Sequence, residues 1–473
     1  MADPKPALDA PAPAPADAGF WAADFGVWLE RIGIAIAGVI GVIVIYKFIW
    51  PSFAAVPLGT WVWRMVIIGC IGYGGYKSGQ MWFKYVRASH IEGLKWTMLY
   101  VRLPRTAARS IFAMEMILES LHDEGGTGTW RHLFWDGSVR KYATLEIASI
   151  EGKIYYFFRV LSGAADYVKT QIYAQFPEAE VTVVDDYVKY VPPQVATDSS
   201  WVLAGFEVAQ AKDKEPLYPI KTYIDYGLDK AGKPEERINP LSNVLEILAA
   251  LGPGEQLWIQ IHIRAAAARF DIKGSKKKQD WKKEYGGNLK KFEEEVQSAV
   301  KAGLATEVEF GKKRVTEYMT KQEEQIYDAI QRKMSKRMFD VGMRCLYLAK
   351  KEMSKGFAAG ALEGALRLFN APGMNGLTAV GPTNPVAFPH PWDNVMGSGT
   401  AKRKKNLYDA YVDRSYFYPP FNEYLDEKPR KIMLLTAEEI ATIFHFPGEE
   451  VSTGGLSRIE ARKAEAPANL PIS

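Results

Sequence analysis

Residues 142–161 read YATLEIASIEGKIYYFFRVL: two apolar runs, Tyr142 to Ile150 and Ile154 to Leu161, separated by Glu151, Gly152 and Lys153. Runs of this length, rich in Ile, Tyr, Phe and Val and broken by a glycine-centred turn, predict a β-hairpin. Upstream, KWTMLYVRL (95–103) alternates polar and apolar residues and stops at Pro104, as a strand does. Ile111, Met114, Ile117, Leu118 and Leu121 then recur at helical spacing. Downstream, Ala164, Ala165, Val168, Ile172 and Tyr173 make a second helical stripe ended by Pro177, and Glu180 to Val184 is a short last strand. The order is β-α-β-β-α-β, so residues 86–191 are expected to form a ferredoxin-like module, one antiparallel sheet with two helices on one face.

The Pro192-Pro193 pair marks a linker, and a second α/β module is expected over 192–369, so the fold class is expected to be α+β with tandem ferredoxin-like (βαββαβ-type) modules, the second with a basic insertion. Trp201 to Val208, Ile220 to Ile224, Gln256 to Ile263 and Phe339 to Leu348 read as its strands. Asn239-Pro240 starts a helix with Leu241, Val244, Leu245, Leu248 and Leu251 as its buried stripe. Met319, Ile326, Ile330 and Met334 mark another helix, which follows a charged insertion at 264–315. Residues 370–447 are loop-rich, without period as far as Asn406, and end in a strand (Lys431 to Leu435) and a helix capped by Thr436 with Glu439 three residues on. Residues 448–473 form an extended tail.

The whole chain averages out as an ordinary globular protein. Its 473 residues suggest about three units at ~150 residues each. Apolar residues make up 48% and charged residues 24%, with a mean hydropathy of −0.16, which excludes a disordered chain and a many-span transporter. A net charge of +4 is too small to make the whole chain a nucleic-acid binder. The averages conceal the N-terminal region. Residues 1–18 are Ala, Pro and Asp with one Lys, expected to be disordered, and lack the basic start of a signal peptide. IGIAIAGVIGVIVIY (32–46) carries no charge and, with its apolar flanks, reaches the ~20 residues that cross a bilayer; Trp28 and Trp50 stand near its ends. A second stretch, Val56 to Phe83, is interrupted by Arg64 and Lys77 and reads as a second span with Met65 to Tyr76 in the apolar middle, or as an interfacial helix. Residues 19–85 are therefore expected to be a two-span membrane hairpin. Lys84, Arg87, Lys95, Arg102, Arg105 and Arg109 follow it. By the positive-inside rule that flank is expected to be cytoplasmic, and the expected location is the inner (cytoplasmic) membrane with most of the chain in the cytoplasm.

No catalytic, metal, nucleotide or cofactor motif emerges, so a non-enzyme is expected. Cys70 and Cys345 share no metal-ligand spacing and fit a reducing compartment. GLDKAGKP (227–234) has the glycines and lysine of a phosphate loop, but Pro234 stands where Ser or Thr is needed. The six histidines show no metal spacing, and Asp185-Asp186, the best acidic pair, reads as a solvated strand end. The strongest electrostatic feature is the insertion. Between Arg264 and Arg314 there are 14 Lys and Arg against 8 Asp and Glu, a local +6. Lys276, Lys277, Lys278, Lys282 and Lys283 are its densest cations, and Lys402, Arg403, Lys404 and Lys405 form a second run in the expected loop. Both are candidates for binding phosphates of DNA or of anionic lipid headgroups. A solvated helical hairpin is the alternative for the insertion, since Glu293 to Glu295 oppose its charge.

Several segments together carry a family likeness: KWTMLYVRLPR (95–105), GTWRHLFWDG (128–137), TQIYAQFPEAEV (170–181), YPIKTYIDYGLDK (218–230) and INPLSNVLEILAALGPGEQLWIQIHIR (238–264). DVGMRCLYLAKKE (340–352), RLFNAPGMNGL (367–377), RSYFYPP (414–420), LTAEEIATIFHFPG (435–448) and RIEARKAEAPANLPI (458–472) continue it. From Lys95 onward the chain resembles a family of uncharacterised bacterial membrane proteins that accompany type IV secretion or conjugation-type ATPases. The resemblance implies a non-catalytic membrane and adaptor half whose motor ATPase is a separate polypeptide. It also implies that the tail is a docking strand, with Phe444, His445, Phe446 and Pro447 as partner-docking residues unless they pack under the last helix. The bilayer and the ATPase are the expected partners; DNA and a homo-oligomeric contact remain open.

Overall fold

The computed structural model describes residues 47, 57–103, 110–123, 130–196, 198–211, 216, 218–229, 239–266, 269–270, 278–279, 321–380, 398–418, 432–448 and 455–456. The chain divides into two compact units, one of residues 1–93 and 128–139, the other of residues 94–127 and 140–473. In the first unit, helix α1 (Pro57–Glu92) runs unbroken for 36 residues. It carries the expected second span and continues through the basic flank. No helix among the described residues is long and apolar enough to cross a membrane. In α1 the reason is local: Arg64, Lys77 and a series of glycines dilute its apolar stretch. The first expected span, 32–46, and residues 1–18 lie outside the described residues. A one-turn helix, α3 (Trp130–Phe134), belongs to the same unit.

The second unit is built on one nine-stranded antiparallel sheet, so the α+β class stands. Its strands are β1 (Trp96–Arg102), β2 (Ala143–Ile150), β3 (Lys153–Leu161), β4 (Glu180–Val184), β5 (Trp201–Gln210), β6 (Glu255–Ala265), β9 (Met338–Lys350), β10 (Leu377–Val380) and β11 (Met433–Thr436). Eight lie in the order β10-β5-β9-β6-β2-β3-β1-β4, and β11 adds to the start of β9. The order repeats in mirror sequence. In each half the fourth strand lies outermost, followed by the first, third and second. The two second strands, β2 and β6, meet at a seam where Glu146 faces Gln260 and Ile147 faces Ile259. The Pro192-Pro193 linker therefore does not separate two sheets, and the 3-10 turn Pro193–Ala196 buries Val195 against the shared one.

The halves differ in one connection. β2 and β3 are joined through Glu151 and Gly152, both at positive φ, and a Cβ on Gly152 would press on the Leu251 and Ala249 carbonyls. The matching link in the second half is residues 266–337, whose described parts are the two-residue strands β7 (Arg269–Phe270) and β8 (Lys278–Gln279) and helix α6 (Lys321–Ser335).

Strand alternation sends Leu145, Ile147, Ile259, Ile261, Val341 and Met343 to one face of the sheet. Helices α2 (Ile111–Ser120), α4 (Ala165–Gln175), α5 (Leu241–Ala249), α7 (Ala358–Leu366) and α9 (Ala437–Ile443) pack their apolar stripes onto it. The opposite face is covered by α8 (Ser398–Val412), whose Leu407, Tyr408 and Tyr411 share a core with Trp258, Leu346 and Leu348. Two expectations change here. The stretch 370–406 contains β10 and most of α8, because Leu407, Tyr408 and Tyr411 give the preceding basic run a face to bury. Ile220 to Ile224 forms turns rather than a strand: the Ile220 and Tyr223 amides donate to Glu439 Oε1 and Thr442 Oγ1 of α9 at 2.9 and 3.0 Å, so no ladder uses them.

Candidate functional site

On the face opposite the five helices, the strand positions at the seam are polar. Thr144, Glu146, Gln260, His262 and Arg344 are buried there, with Glu207 beside them. Buried charges need partners, and the chain supplies them from residues 410–418, the RSYFYPP segment and the turn before it. Arg414 reaches Glu146 with Nε at 3.1 Å and Nη2 at 3.2 Å, and Asp186 with Nη1 at 2.5 Å and Nη2 at 2.7 Å. This is a planar guanidinium used bidentately on two carboxylates. Glu146 also accepts from the Thr144 hydroxyl (2.9 Å), Tyr187 OH (2.7 Å) and Gln260 Nε2 (3.1 Å). Because Tyr187 donates to Glu146, Tyr411 OH donates to Tyr187 at 2.6 Å. Arg344 binds Glu207 at 3.2 Å and donates to the Ala410 and Ser415 carbonyls at 2.6 and 2.8 Å. The Gln260 side-chain oxygen accepts from His262 Nε2 at 2.8 Å.

Aromatic packing completes the closure. The Tyr416 ring stacks on His262 with centroids 5.4 Å apart and lies where a Cβ on Gly342 would be. Arg264 sits over the Phe417 ring at 4.3 Å and pairs with Asp340 at 2.9 Å. Arg414 itself has φ 47°, a left-handed conformation unusual for a side chain of this size, which the surrounding bonds hold. The electrostatics follow. Burial works to raise the Glu146 carboxyl, but the Arg414 charge and the hydrogen bonds from Arg414, Tyr187 and Thr144 outweigh it, so the group is held below its usual value. Burial opposes the Arg414 charge too, and Glu146 and Asp186 reverse the balance upward. Burial raises the Tyr187 and Tyr411 hydroxyls. The result is a latch in which Arg414 is paired with Glu146 and Asp186, Arg344 with Glu207, and the buried tyrosines stay neutral.

A second charged cluster fastens the other face. Lys333 of α6, fully buried, binds Glu439 at 3.1 Å and donates to the Leu434 carbonyl at 2.9 Å. Lys336 pairs with Glu115 and with Glu438, and Arg332 bridges Glu438 at 3.2 Å and Asp225 at 3.0 Å. Glu439 simultaneously closes the capping box of Thr436, as the sequence predicts. The helix that follows the basic insertion is thus tied to the last strand and helix of the body.

The predicted site residues are dispersed. Lys276, Lys277, Lys282 and Lys283 lie outside the described residues, and of Lys278 only the backbone, in β8, is described. Lys402, Arg403, Lys404 and Lys405 stand on α8 rather than in a loop, with Lys402 and Lys405 exposed. Phe444, His445 and Phe446 are core residues. Phe444 and Phe446 pack on Tyr156 and Phe158, and His445 donates from Nδ1 to the Ala441 carbonyl while Nε2 accepts from Asn239 at 2.8 Å. Burial by the chain itself removes these three as a docking surface, and Pro447 next to them is half-buried. Asp186 is likewise no solvated strand end: it caps the 3-10 turn Tyr187–Tyr190 and holds Arg414, while Asp185 keeps only an exposed pair with Lys189. His122 lies edge-on to Phe339 and bonds the Met338 carbonyl. Among the described residues no group of His, Cys, Asp and Glu converges as a metal site. Compared with known protein families and with curated proteins, the sequence matches none.

Proposed function

We propose that this chain is a membrane-anchored adaptor that recruits a separate motor ATPase of a translocation machine of the type IV secretion or conjugation kind. The observation that carries the anchor is α1, which leaves Trp63, Met65, Val66, Ile68, Ile71, Tyr73 and Tyr76 exposed in one stretch. A contiguous apolar surface of this kind calls for a non-aqueous partner. The uncharged segment 32–46 is the spanning segment in this reading, and α1, which is not apolar enough to cross, enters the bilayer beside it as an interfacial or re-entrant helix.

The strand order in the body supports two ferredoxin-like modules joined edge to edge, each β-α-β-β-α-β with its fourth strand outermost. The C-terminal region packs on both faces of the sheet and then meets β3: the Gly455 carbonyl accepts from the Ile154 amide at 2.7 Å, and Leu456 bridges Ile154 in parallel. An extended segment can add to the edge of a partner's sheet. This favours residues 457–473, rather than Phe444 to Phe446, as the docking strand. Full-length protein purified in mild detergent from its own cells is expected to bring ATP-hydrolysing activity with it, and the activity is expected to vanish when residues 457–473 are deleted. Recovery of no ATPase with the full-length protein contradicts the adaptor role.

A second reading, a membrane-tethered binder of DNA or anionic lipid, draws on the exposed Lys402 and Lys405 on α8. It requires binding that weakens steeply with salt and is lost on reversing the charge of Lys402 and Lys405.

A further inference from the structure

The 130–137 segment lies against the second half of α1 and builds a surface with it. Trp82 Nε1 donates to the Phe134 carbonyl at 3.1 Å. The Trp82 and Trp135 rings meet edge-on with centroids 5.8 Å apart, and Phe83 meets Phe134 in the same way at 5.0 Å. Gly137, at φ 63°, makes the return possible: a Cβ there would collide with the Val86 carbonyl. The packing leaves Trp135 55% exposed, with Trp82 and Tyr85 at 37% and 38%.

The charges nearby have one dominant sign. Lys77, Lys84, Arg87 and Arg131 stand in this stretch against Glu92 and Asp136. Arg87 lies over the Phe83 ring at 5.4 Å. Trp and Tyr rings settle at the headgroup level of a bilayer, and Lys and Arg near its surface are drawn to anionic lipids. The spacing agrees with this. Trp82 follows the exposed Tyr76 by about 9 Å of helix, which is comparable to the depth of one headgroup layer.

We propose that Trp82, Tyr85, Arg131 and Trp135 form an interfacial surface whose occupant is the headgroup layer of an anionic bilayer. This rests on the membrane-anchored reading and adds to it a lipid preference and an element, α3, far from the apolar segments in sequence. The matching charge is what selects lipid over an apolar protein partner.

The test uses full-length protein in nanodiscs of phosphatidylcholine alone or of phosphatidylcholine mixed with phosphatidylglycerol. Backbone hydrogen exchange is followed in residues 130–138, with β2 and β3 as a control for folding. Exchange in 130–138 is expected to slow about tenfold when the anionic lipid is present, and the slowing to disappear in Arg131→Glu and in Trp135→Ser, with the β2 and β3 amides unchanged. Equal exchange in the two lipids overturns the proposal. Slowing that survives Arg131→Glu also overturns it, because an occupant other than anionic lipid is then responsible. Protein that never enters the discs overturns the anchor and this surface together, whereas protein that enters without lipid-dependent protection overturns the surface alone.

Discussion

Helix α1 and the seam of the sheet invert the usual rule in opposite senses. α1 exposes large apolar side chains such as Met65 at 69% and Ile68 at 64%, whereas the seam buries Glu146 and Arg414 almost completely. Each departure implies a partner. At the seam the partner is the chain itself: Arg414 pairs with Glu146, and the Ala410 and Ser415 carbonyls accept from Arg344. Along α1 the described residues supply no comparable cover, and a bilayer is the partner the exposed chemistry fits. The contrast separates a site that is finished within the chain from one that is finished by its surroundings.

The largest predicted effect breaks the finished site. Glu146→Gln keeps the shape but leaves Arg414 short of a counter-charge, and removing one partner of a buried pair is expected to cost about 3–5 kcal/mol. Denaturant unfolding measures it. Gly342→Ala drives a methyl into the Tyr416 ring. It is expected to cost about 1–3 kcal/mol and to speed hydrogen exchange in 410–418 before the rest of the sheet. Leu145→Met, one residue from Glu146 on the apolar face, should cost less than about 1.5 kcal/mol, since that face asks for volume rather than for a particular partner.

The pH dependence sharpens the same comparison. Glu146 is held below its ordinary value of 4.5. Its stabilising contribution is therefore complete above about pH 4.5 and is lost as pH falls through the depressed value. Glu146→Gln should flatten that acid limb in thermal melts taken across the range. The smallest effect belongs to α1: Ile68→Ser is expected to leave unfolding of the sheet unit within about 0.5 kcal/mol of the parent protein.

Much of the fold was legible because periodicity records burial. The hairpin at 142–161, the stripe Leu241 to Leu248 and the Thr436 capping box each announce their element directly. The latch was not legible for the same reason. Thr144, Glu146, Gln260 and His262 fall on the polar phase of their strands, which reads the same whether that phase meets water or a covering segment 150 residues or more away in sequence. The signal that was present lay in the middle of the sheet: two central strands with Thr144 and Glu146, and Gln260 and His262, two apart on one phase, and an RSYFYPP segment whose Arg and three aromatics had no local use. Phe444, His445 and Phe446 were ambiguous in sequence because an aromatic anchor for a partner and a core cluster have one composition. Lys402 to Lys405 read as a loop because four consecutive cations mask the helical stripe that begins at Leu407.

The anchor is the claim on which the functional reading depends, and alkaline carbonate extraction of liposomes reconstituted with the full-length protein tests it most directly. The account predicts that the protein stays with the lipid pellet at high pH, as an inserted protein does, while a variant lacking residues 19–85 is released. Complete release of the full-length protein into the supernatant would contradict it.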